Sequence, residues 1–90
     1  MDFGWDPAKH ARTLRERGIG FDLASEIFDQ PVLQIVDARR DYGEVRVKAI
    51  GQTTDGRLLA VVYTDRRDLR WIISARAASR KERQAWQLRA

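Results

Sequence analysis

Cysteine is absent from this 90-residue chain, and histidine occurs once, at position 10. Without cysteine there can be no disulfide, no thiolate zinc site and no cysteine nucleophile. A serine hydrolase is not expected either, because Ser74 has only His10, on a different predicted element, as a partner. The sequence also lacks a glycine-rich phosphate loop and a metal-binding constellation, so we expect no metal and no cofactor.

Long apolar runs are lacking too. No stretch approaches the roughly 20 residues that are needed to cross a bilayer. The first residues, Met1 to Asp6, lack the basic segment and the apolar core of a signal peptide. The length fits a single domain, residues 1–90, with a thin core. We therefore expect a soluble, cytoplasmic protein that does not enter a membrane.

Positive charge is concentrated in the last third of the chain. The whole chain has a net charge of +4, of which residues 61–90 carry +5, residues 31–60 carry +1 and residues 1–30 carry −2. A basic C-terminal third favours an anionic partner. Basic surfaces are also common on proteins that never bind nucleic acid, so charge alone does not identify RNA or DNA as that partner.

Local signals along the chain predict an α+β fold. Asp6-Pro7 begins a helix that Gly18 closes, and a second helix runs from Phe21 until Pro31 stops it. Four strands are then expected, at about residues 32–36, 45–50, 58–63 and 71–74. A Ser79-x-x-Glu82 capping box opens a basic last helix. The predicted arrangement is two N-terminal helices, a four-stranded antiparallel sheet and a C-terminal helix, with the helices packed on one face.

Cationic side chains around the predicted sheet are the residues with the clearest chemical potential. Arg46 and Lys48 are two apart on one strand, so they project from the same face. Arg70 and Arg76 flank the last strand, and Tyr63 ends the strand before it. Cations beside a tyrosine on an open sheet face could bind phosphates and support RNA cleavage without a metal. The same spacing also fits the solvated face of an ordinary antiparallel sheet.

Three aromatic or heteroaromatic residues near the N-terminus have plain structural interpretations. His10 is expected to be an exposed residue of the first helix. Phe3 and Trp5 are expected to pack against the end of a helix rather than to stack on a base. None of the three is therefore assigned to a site.

An ordered set of short motifs extends over nearly the whole chain. It comprises Phe3-x-Trp5-Asp6-Pro7-x-Lys9, Gly18-Ile19-x-Phe21-x-x-Ala24, Phe28-x-x-Pro31, Asp41-Tyr42-Gly43-Glu44-x-Arg46, Ile50-Gly51, Leu59 through Thr64, and Ile72-Ile73-Ser74-Ala75-Arg76-x-Ala78-Ser79-x-x-Glu82-Arg83. In this set the chain resembles the BrnT family of toxins. The resemblance implies a RelE-like fold and a cytoplasmic, metal-independent ribonuclease that arrests growth.

The resemblance also implies the partners. It indicates an RNA substrate and a BrnA-type antitoxin in a complex of two toxin and two antitoxin chains, with operator DNA reached only through the antitoxin. For this activity we expect four catalytic residues, namely Arg46, Lys48, Tyr63 and Arg76. Lys48 is expected to accept a proton and Arg76 to hold the phosphate. Three further residues are expected to contact RNA, namely Arg70, Arg80 and Lys81.

Four positions depart from the family pattern. Arg17 and Arg40 stand where histidine is often found, Trp71 replaces an arginine, and Ala77 lacks the usual basic side chain. Because lost phosphate contacts would weaken transition-state stabilisation, a second hypothesis stays open. In that hypothesis the chain is a catalytically attenuated toxin homologue that binds its antitoxin and tunes repression.

Overall fold

In the computed structural model of the protein, which describes residues 1–89, a five-stranded sheet carries the helices. The strands are β1 (Asp2–Trp5), β2 (Leu33–Val36), β3 (Val47–Gln52), β4 (Leu58–Arg66) and β5 (Leu69–Ala77). The helices are α1 (Pro7–Arg17), α2 (Phe21–Ser25) with a 3₁₀ continuation (Glu26–Asp29), and α3 (Arg80–Leu88). The strand order is β1-β5-β4-β3-β2, with β1 parallel to β5 and the other pairs antiparallel. No helix within these residues is long and apolar enough to span a membrane.

The ends of α1 are those that the sequence predicts. The Asp6 carboxylate accepts a hydrogen bond from a first-turn amide (2.9 Å), and Gly18 ends the helix in the left-handed region (φ 68°). His10 differs from the expectation, because it is half-buried rather than exposed. Its Nδ1 accepts a hydrogen bond from the Phe21 amide (2.9 Å), and its ring stacks on Trp5. The histidine thus satisfies a free N–H at the start of α2.

The N-terminal strand β1 corrects the predicted number of strands from four to five. Phe3 and Trp5 do pack against helical residues, as expected, but they do so from a strand. The Phe3 ring stacks on Phe28 (5.6 Å between centroids), and the Trp5 ring meets the Phe21 ring edge-on (6.4 Å). A four-residue strand that contains Gly4 has too few alternating apolar and polar residues to be recognised from the sequence. Its partner, β5, lies near the other end of the sequence.

The register of the strands assigns one row of small apolar side chains to a single face. Ala49 pairs with Val61, and Val61 pairs with Ala75 across the next strand. These residues are completely buried together with Phe21 and Ile27 from α2 and its continuation. We call this side of the sheet the core face. Most of the buried apolar residues belong to this cluster, so this face supplies the main stabilising contribution.

The opposite side of the sheet is more polar. Lys48 pairs with Val62, and Val62 with Ser74, so their side chains project away from the core face. Helix α3 lies on this side, where Glu82 contacts Lys48 and Arg76. We call it the groove face. The expectation that all helices pack on one face is therefore wrong, because α2 packs on the core face and α3 on the groove face.

Strand β5 contains a bulge at Ile73. Val62 pairs with Ser74 and Tyr63 pairs with Ile72, which leaves Ile73 without an opposite residue. On a regular strand the side chains of residues 72 and 74 would point to the same face. The extra residue sends Ser74 to the groove face and Ile72 to the core face. The side chains of residues 69–72, before the bulge, consequently lie on the face opposite to the one that their spacing from residues 74–77 predicts.

Candidate active site

A groove of about 400 Å³ lies on the groove face, between the end of α1 and the loop that follows β2. Its lining includes four residues of the sheet, one arginine of α1 and a short loop with an acidic and a basic side chain. These are Lys48, Val62, Ser74 and Arg76, then Arg17, then residues 37–39. Four cations and the carboxylates of Asp37 and Glu82 give the groove and its contact residues a net charge of +2. The groove is therefore suited to an anion.

Lys48 and Arg76 contact the same carboxylate. The Arg76 guanidinium makes a two-pronged contact with Glu82 (2.6 and 2.8 Å), and Lys48 Nζ lies 2.9 Å from Glu82 Oε2. The strands place the two cations, since Lys48 and Arg76 belong to one face of β3 and β5. The pKa of Arg76 is raised, chiefly by its hydrogen bonds to Glu82. Two of the four expected catalytic residues are thus brought together.

Glu82 is fixed by the predicted capping box of α3. The Ser79 side chain accepts a hydrogen bond from the Glu82 amide, and the Glu82 carboxylate accepts one from the Ser79 amide (2.8 Å). The pKa of Glu82 lies well below its usual range, because of Arg76 first and then Ser79 and Lys48, with burial opposing them. The carboxylate is therefore ionised at neutral pH.

Arg17 completes one wall of the groove from α1. Strand β1 pairs with β5 only as far as Ile72, so the following residues of β5 have no strand beside them on that edge. Arg17 Nη1 donates a hydrogen bond to the Ala75 carbonyl there (2.8 Å). Arg17, which in the sequence was only a position where histidine is often found, therefore satisfies a backbone carbonyl of β5.

The opposite wall is the loop after β2. Arg39 forms a two-pronged ion pair with Asp37 (2.8 and 2.9 Å), and this contact lowers the pKa of Asp37 to about 2. The Arg39 side chain remains 79% exposed. Both Arg39 and Arg76 line the groove. Arg39 can therefore reach an anion bound in the groove without losing its carboxylate partner.

Tyr63 and Arg70 lie on the core face, away from the groove. Tyr63 is 3% exposed, packs edge-on against Phe28 (5.2 Å) and accepts a hydrogen bond from Gln34 (3.0 Å). The pKa of Tyr63 is raised by burial. The Arg70 guanidinium lies 4.1 Å from the centre of the Tyr63 ring and forms a two-pronged pair with Asp65.

The expectation that these two residues join Lys48 and Arg76 on one face is corrected by the register. Tyr63 neighbours Val62, the partner of Lys48, and so projects to the other side. Arg70 has the same parity as Arg76, but the bulge lies between them and reverses its direction. Neither feature could be seen from spacing along a single strand.

Arg46 and the two cations of α3 lie outside the groove lining. Arg46 immediately precedes β3, with its guanidinium 3.9 Å from the Tyr42 ring centre and 3.7 Å from Glu44. Arg80 and Lys81 are exposed on the first turn of α3, next in sequence to Glu82. That turn also presents the partial positive charge of a helix N-terminus. Arg80 and Lys81 thus extend the basic surface beside the groove.

Sequence reasoning missed three residues of this site, namely Arg17, Arg39 and Glu82. Glu82 was recognisable as a capping residue from its spacing to Ser79, but that spacing gives no sign of a second contact with the sheet. The resolved part of the chain, residues 1–89, contains no group of three or more His, Asp or Glu side chains arranged to hold a metal ion.

Comparison with known proteins places this geometry in a family. The model of a family described as "Ribonuclease toxin, BrnT, of type II toxin-antitoxin system" matches residues 5–82, which is most of the chain. The chain belongs to the BrnT family. BrnT proteins are ribonuclease toxins of toxin–antitoxin pairs, so an antitoxin is an implied partner. The resemblance in the sequence motifs is thereby confirmed.

A solved structure supports the same fold. The crystal structure of the Brucella abortus ribonuclease toxin BrnT is similar to this chain with a TM-score of 0.63 and 22% sequence identity. The similarity covers 89% of this chain and 99% of the Brucella chain. At that identity the match shows the α+β fold alone. Among curated proteins, none matches the chain.

Proposed function

We propose that this BrnT-family chain is an endoribonuclease that cleaves RNA without a metal, in the groove on the groove face. The observation that carries the proposal is the pair of cations, Lys48 and Arg76, held on one buried carboxylate and open to a groove of about 400 Å³. In metal-free cleavage the 2′-hydroxyl attacks the neighbouring phosphate, and the negative charge of the transition state must be stabilised. Two fixed cations supply that stabilisation.

The contacts favour phosphate binding as the role of both cations. Arg76 presents a planar guanidinium that matches two phosphate oxygens and does not exchange its proton. Lys48 was expected to accept a proton, but its ion pair with Glu82 uses the ammonium form. We therefore assign Lys48 to charge stabilisation alongside Arg76. The reaction also requires that the 2′-hydroxyl lose its proton and that the leaving 5′-oxygen gain one.

The surrounding cations give the RNA strand a path. Arg39 lies on one wall of the groove, and Arg80 and Lys81 lie beside Glu82 on the exposed first turn of α3. We propose that these side chains hold phosphates on either side of the reacting one, which fixes the register without reading the bases. Arg46, Tyr63 and Arg70 have no contact with this path, and we assign them no part in the chemistry.

We further propose a BrnA-type antitoxin as the partner, in a complex of two toxin and two antitoxin chains that contacts operator DNA only through the antitoxin. The open edge of the sheet beside the groove supports a docking place for it. The Asp37 amide donates to the Arg46 carbonyl (2.8 Å), so alternation turns the backbone groups of Gln34 and Val36 outward. Val36 is 64% exposed and Ile35 43%.

An extended antitoxin segment with apolar and acidic side chains fits that edge, because it can pair with β2 and reach the cations of the groove. Occlusion of the groove would prevent cleavage and so release growth arrest. Hydrogen exchange at the Gln34 and Val36 amides tests the contact. Slower exchange on addition of the antitoxin is expected, and unchanged exchange at both amides contradicts this docking place.

The experiment that tests the proposed activity uses a defined RNA with the purified chain in EDTA, followed by mapping of the cleaved ends. Lys48→Ala and Arg76→Ala are each expected to lower the rate by about 100-fold or more while the chain stays folded. Arg15→Ala is the matched control, because it removes an exposed arginine of α1 that lies outside the groove. Cleavage that is equally fast in all four proteins would refute the proposal.

The attenuated-homologue hypothesis is tested by expression in cells. It is favoured by Trp71, which stands where the family pattern has an arginine and has Arg66 5.2 Å from its ring centre. Expression of an active toxin arrests growth, whereas a pure antitoxin-binding module leaves cells growing. Growth arrest that Lys48→Ala abolishes supports the ribonuclease.

A further inference from the structure

The carboxylate of Glu82 has a partner at each oxygen. Oε1 accepts hydrogen bonds from Arg76 Nη1 (2.6 Å) and from the Ser79 amide (2.8 Å). Oε2 accepts one from Arg76 Nη2 (2.8 Å) and forms an ion pair with Lys48 Nζ, 2.9 Å away. Two cations and one amide therefore surround the carboxylate. Because they favour its ionised form, they disfavour a role for Glu82 as acceptor of the 2′-hydroxyl proton.

The order of burial shows which of the three charges faces the groove. The Glu82 side chain is 8% exposed, whereas the Lys48 and Arg76 side chains are 30% and 45% exposed. The carboxylate thus lies beneath the two cations. Lys48 has three ammonium protons and Arg76 five N–H donors, so both retain donors for a ligand above them.

We propose that Glu82 is a positioning residue of the BrnT chain, which fixes Lys48 and Arg76 under the reacting phosphate and reduces the charge of their cluster to +1. That charge matches the single negative charge of a phosphodiester. Without the carboxylate, two adjacent cations would repel each other and bind the ground-state phosphate more tightly. With it, the donors are held ready for the additional charge of the transition state. The inference rests on the proposed ribonuclease function.

The anchoring of Glu82 makes this arrangement rigid. The capping box with Ser79 fixes the first turn of α3, and hydrogen bonding from Arg76 keeps the carboxylate ionised. Strands β3 and β5 fix the backbones of the two cations from below. Three separate elements therefore meet at one carboxylate, and the sheet itself sets the distance between the cations.

Glu82→Gln tests the charge and the geometry together, because the amide has nearly the same shape and no charge. The cluster then carries +2. A non-cleavable RNA with a 2′-deoxy substitution at the scissile position is expected to bind more tightly, with a log K against log salt slope steeper by about 0.7. Turnover at saturating RNA is expected to fall at least about tenfold, since the cations lose their fixed positions.

Two other variants separate the causes. Glu16→Gln makes the same change of charge at an exposed residue of α1 outside the groove lining, so RNA affinity and turnover are expected to stay within about twofold. Glu82→Asp keeps the charge on a shorter side chain that cannot reach both cations. It is expected to preserve affinity within about twofold and to lower turnover at least fivefold. Circular dichroism establishes that each variant is folded.

The result that overturns the inference is a parallel loss of affinity and turnover in Glu82→Gln, as a merely structural residue would give, or no change in either. If Glu82→Gln does not fold, Glu82→Asp decides by the same criterion. Failure of the proposed function is seen separately, as absence of cleavage by the wild-type protein. Tighter, more salt-dependent binding by Glu82→Gln would then still support the charge assignment, and unchanged binding would overturn it.

Discussion

The two faces of the sheet hold the same kinds of residue in opposite arrangements. On the core face, Arg70 makes a two-pronged ion pair with Asp65 and lies against the buried ring of Tyr63. On the groove face, Arg76 makes a two-pronged ion pair with Glu82 and shares it with Lys48. One arginine is 15% exposed beside aromatic rings, and the other is 45% exposed beside a groove.

The difference shows that an arginine–carboxylate pair does not by itself indicate a site. The Arg70–Asp65 pair is neutral overall, and its guanidinium packs against the rings of Phe28 and Tyr63. It therefore covers the edge of the core. The Arg76 pair has a second cation next to it and open space above it. Surplus positive charge beside an accessible volume is what distinguishes the groove face.

The largest expected effect belongs to the core face. Phe21, the first residue of α2, is completely buried, and Phe21→Ala is expected to lower the free energy of unfolding by about 3–5 kcal/mol. A chain this short has only a few kcal/mol of net stability, so the variant should be largely unfolded. Urea denaturation followed by circular dichroism measures the change. Leu14→Ala, at a side chain that is 50% exposed, should stay within about 0.5 kcal/mol.

Equal stability of Phe21→Ala and the wild type would mean that the fold is not held by the core face. The groove-face residues would then have to stabilise the fold instead of serving only the reaction. That outcome would remove the basis for separating the two sides.

An arginine-to-lysine substitution on each face compares the two ion pairs directly, and the one on the groove face has the next largest expected effect. Arg76→Lys keeps the positive charge but loses the planar fork that grips Glu82 and a phosphate, so kcat/KM for RNA cleavage is expected to fall about tenfold. Arg70→Lys loses an equivalent fork with Asp65 and should leave kcat/KM within about twofold. Equal losses in the two variants would place RNA on both faces and contradict the assignment of the site.

The parts of the fold that the sequence predicts correctly are those with local causes. The ends of α1 follow from Asp6 and Gly18, and the start of α3 follows from the spacing of Ser79 and Glu82. Strand β1 has no such local signal, since the residues that it pairs with are 67 positions away and its alternation is only four residues long. Its existence depends on the exposed edge of β5, which only the assembled sheet provides.

Two of the four expected catalytic residues meet in the structure, and the other outcomes again depend on contacts between strands. Lys48 and Arg76 were identified as cations of neighbouring segments, and the register does bring them together. Tyr63 and Arg70 were added because of proximity in sequence, but the parity of β4 and the bulge at Ile73 send them to the other face. A bulge adds one residue to one strand and leaves no mark that residue spacing reveals.

Acid should weaken the groove face in a way that identifies Glu82. Its pKa is lowered in the folded chain below the ordinary value of 4.5, so its ion pairs stabilise the fold fully above that pH. The stabilisation is lost as the pH falls below about 4.5 toward the folded-state pKa. Glu82→Gln is expected to be less stable by about 2 kcal/mol at pH 7, with a gap that narrows steadily in acid.

Urea denaturation of both proteins between pH 7 and pH 3 measures that gap. Asp37, whose pKa is about 2, is present in both and cancels from the difference. A gap of the same size at pH 3 and pH 7 would contradict the idea that ionised Glu82 stabilises the cluster.

The smallest expected effect tests whether Tyr63 belongs to the core alone. Tyr63→Phe keeps the ring against Phe28 and removes only the hydroxyl that accepts a hydrogen bond from Gln34. The free energy of unfolding should fall by about 1 kcal/mol, and RNA cleavage should stay within about twofold. Gln34→Ala in the Tyr63→Phe protein should have little further effect on stability, because the shared bond is already gone. A loss of cleavage approaching that of Arg76→Ala, in a protein that is still folded, would return Tyr63 to the chemistry, and it would mean that substrate reaches the core face of the sheet as well.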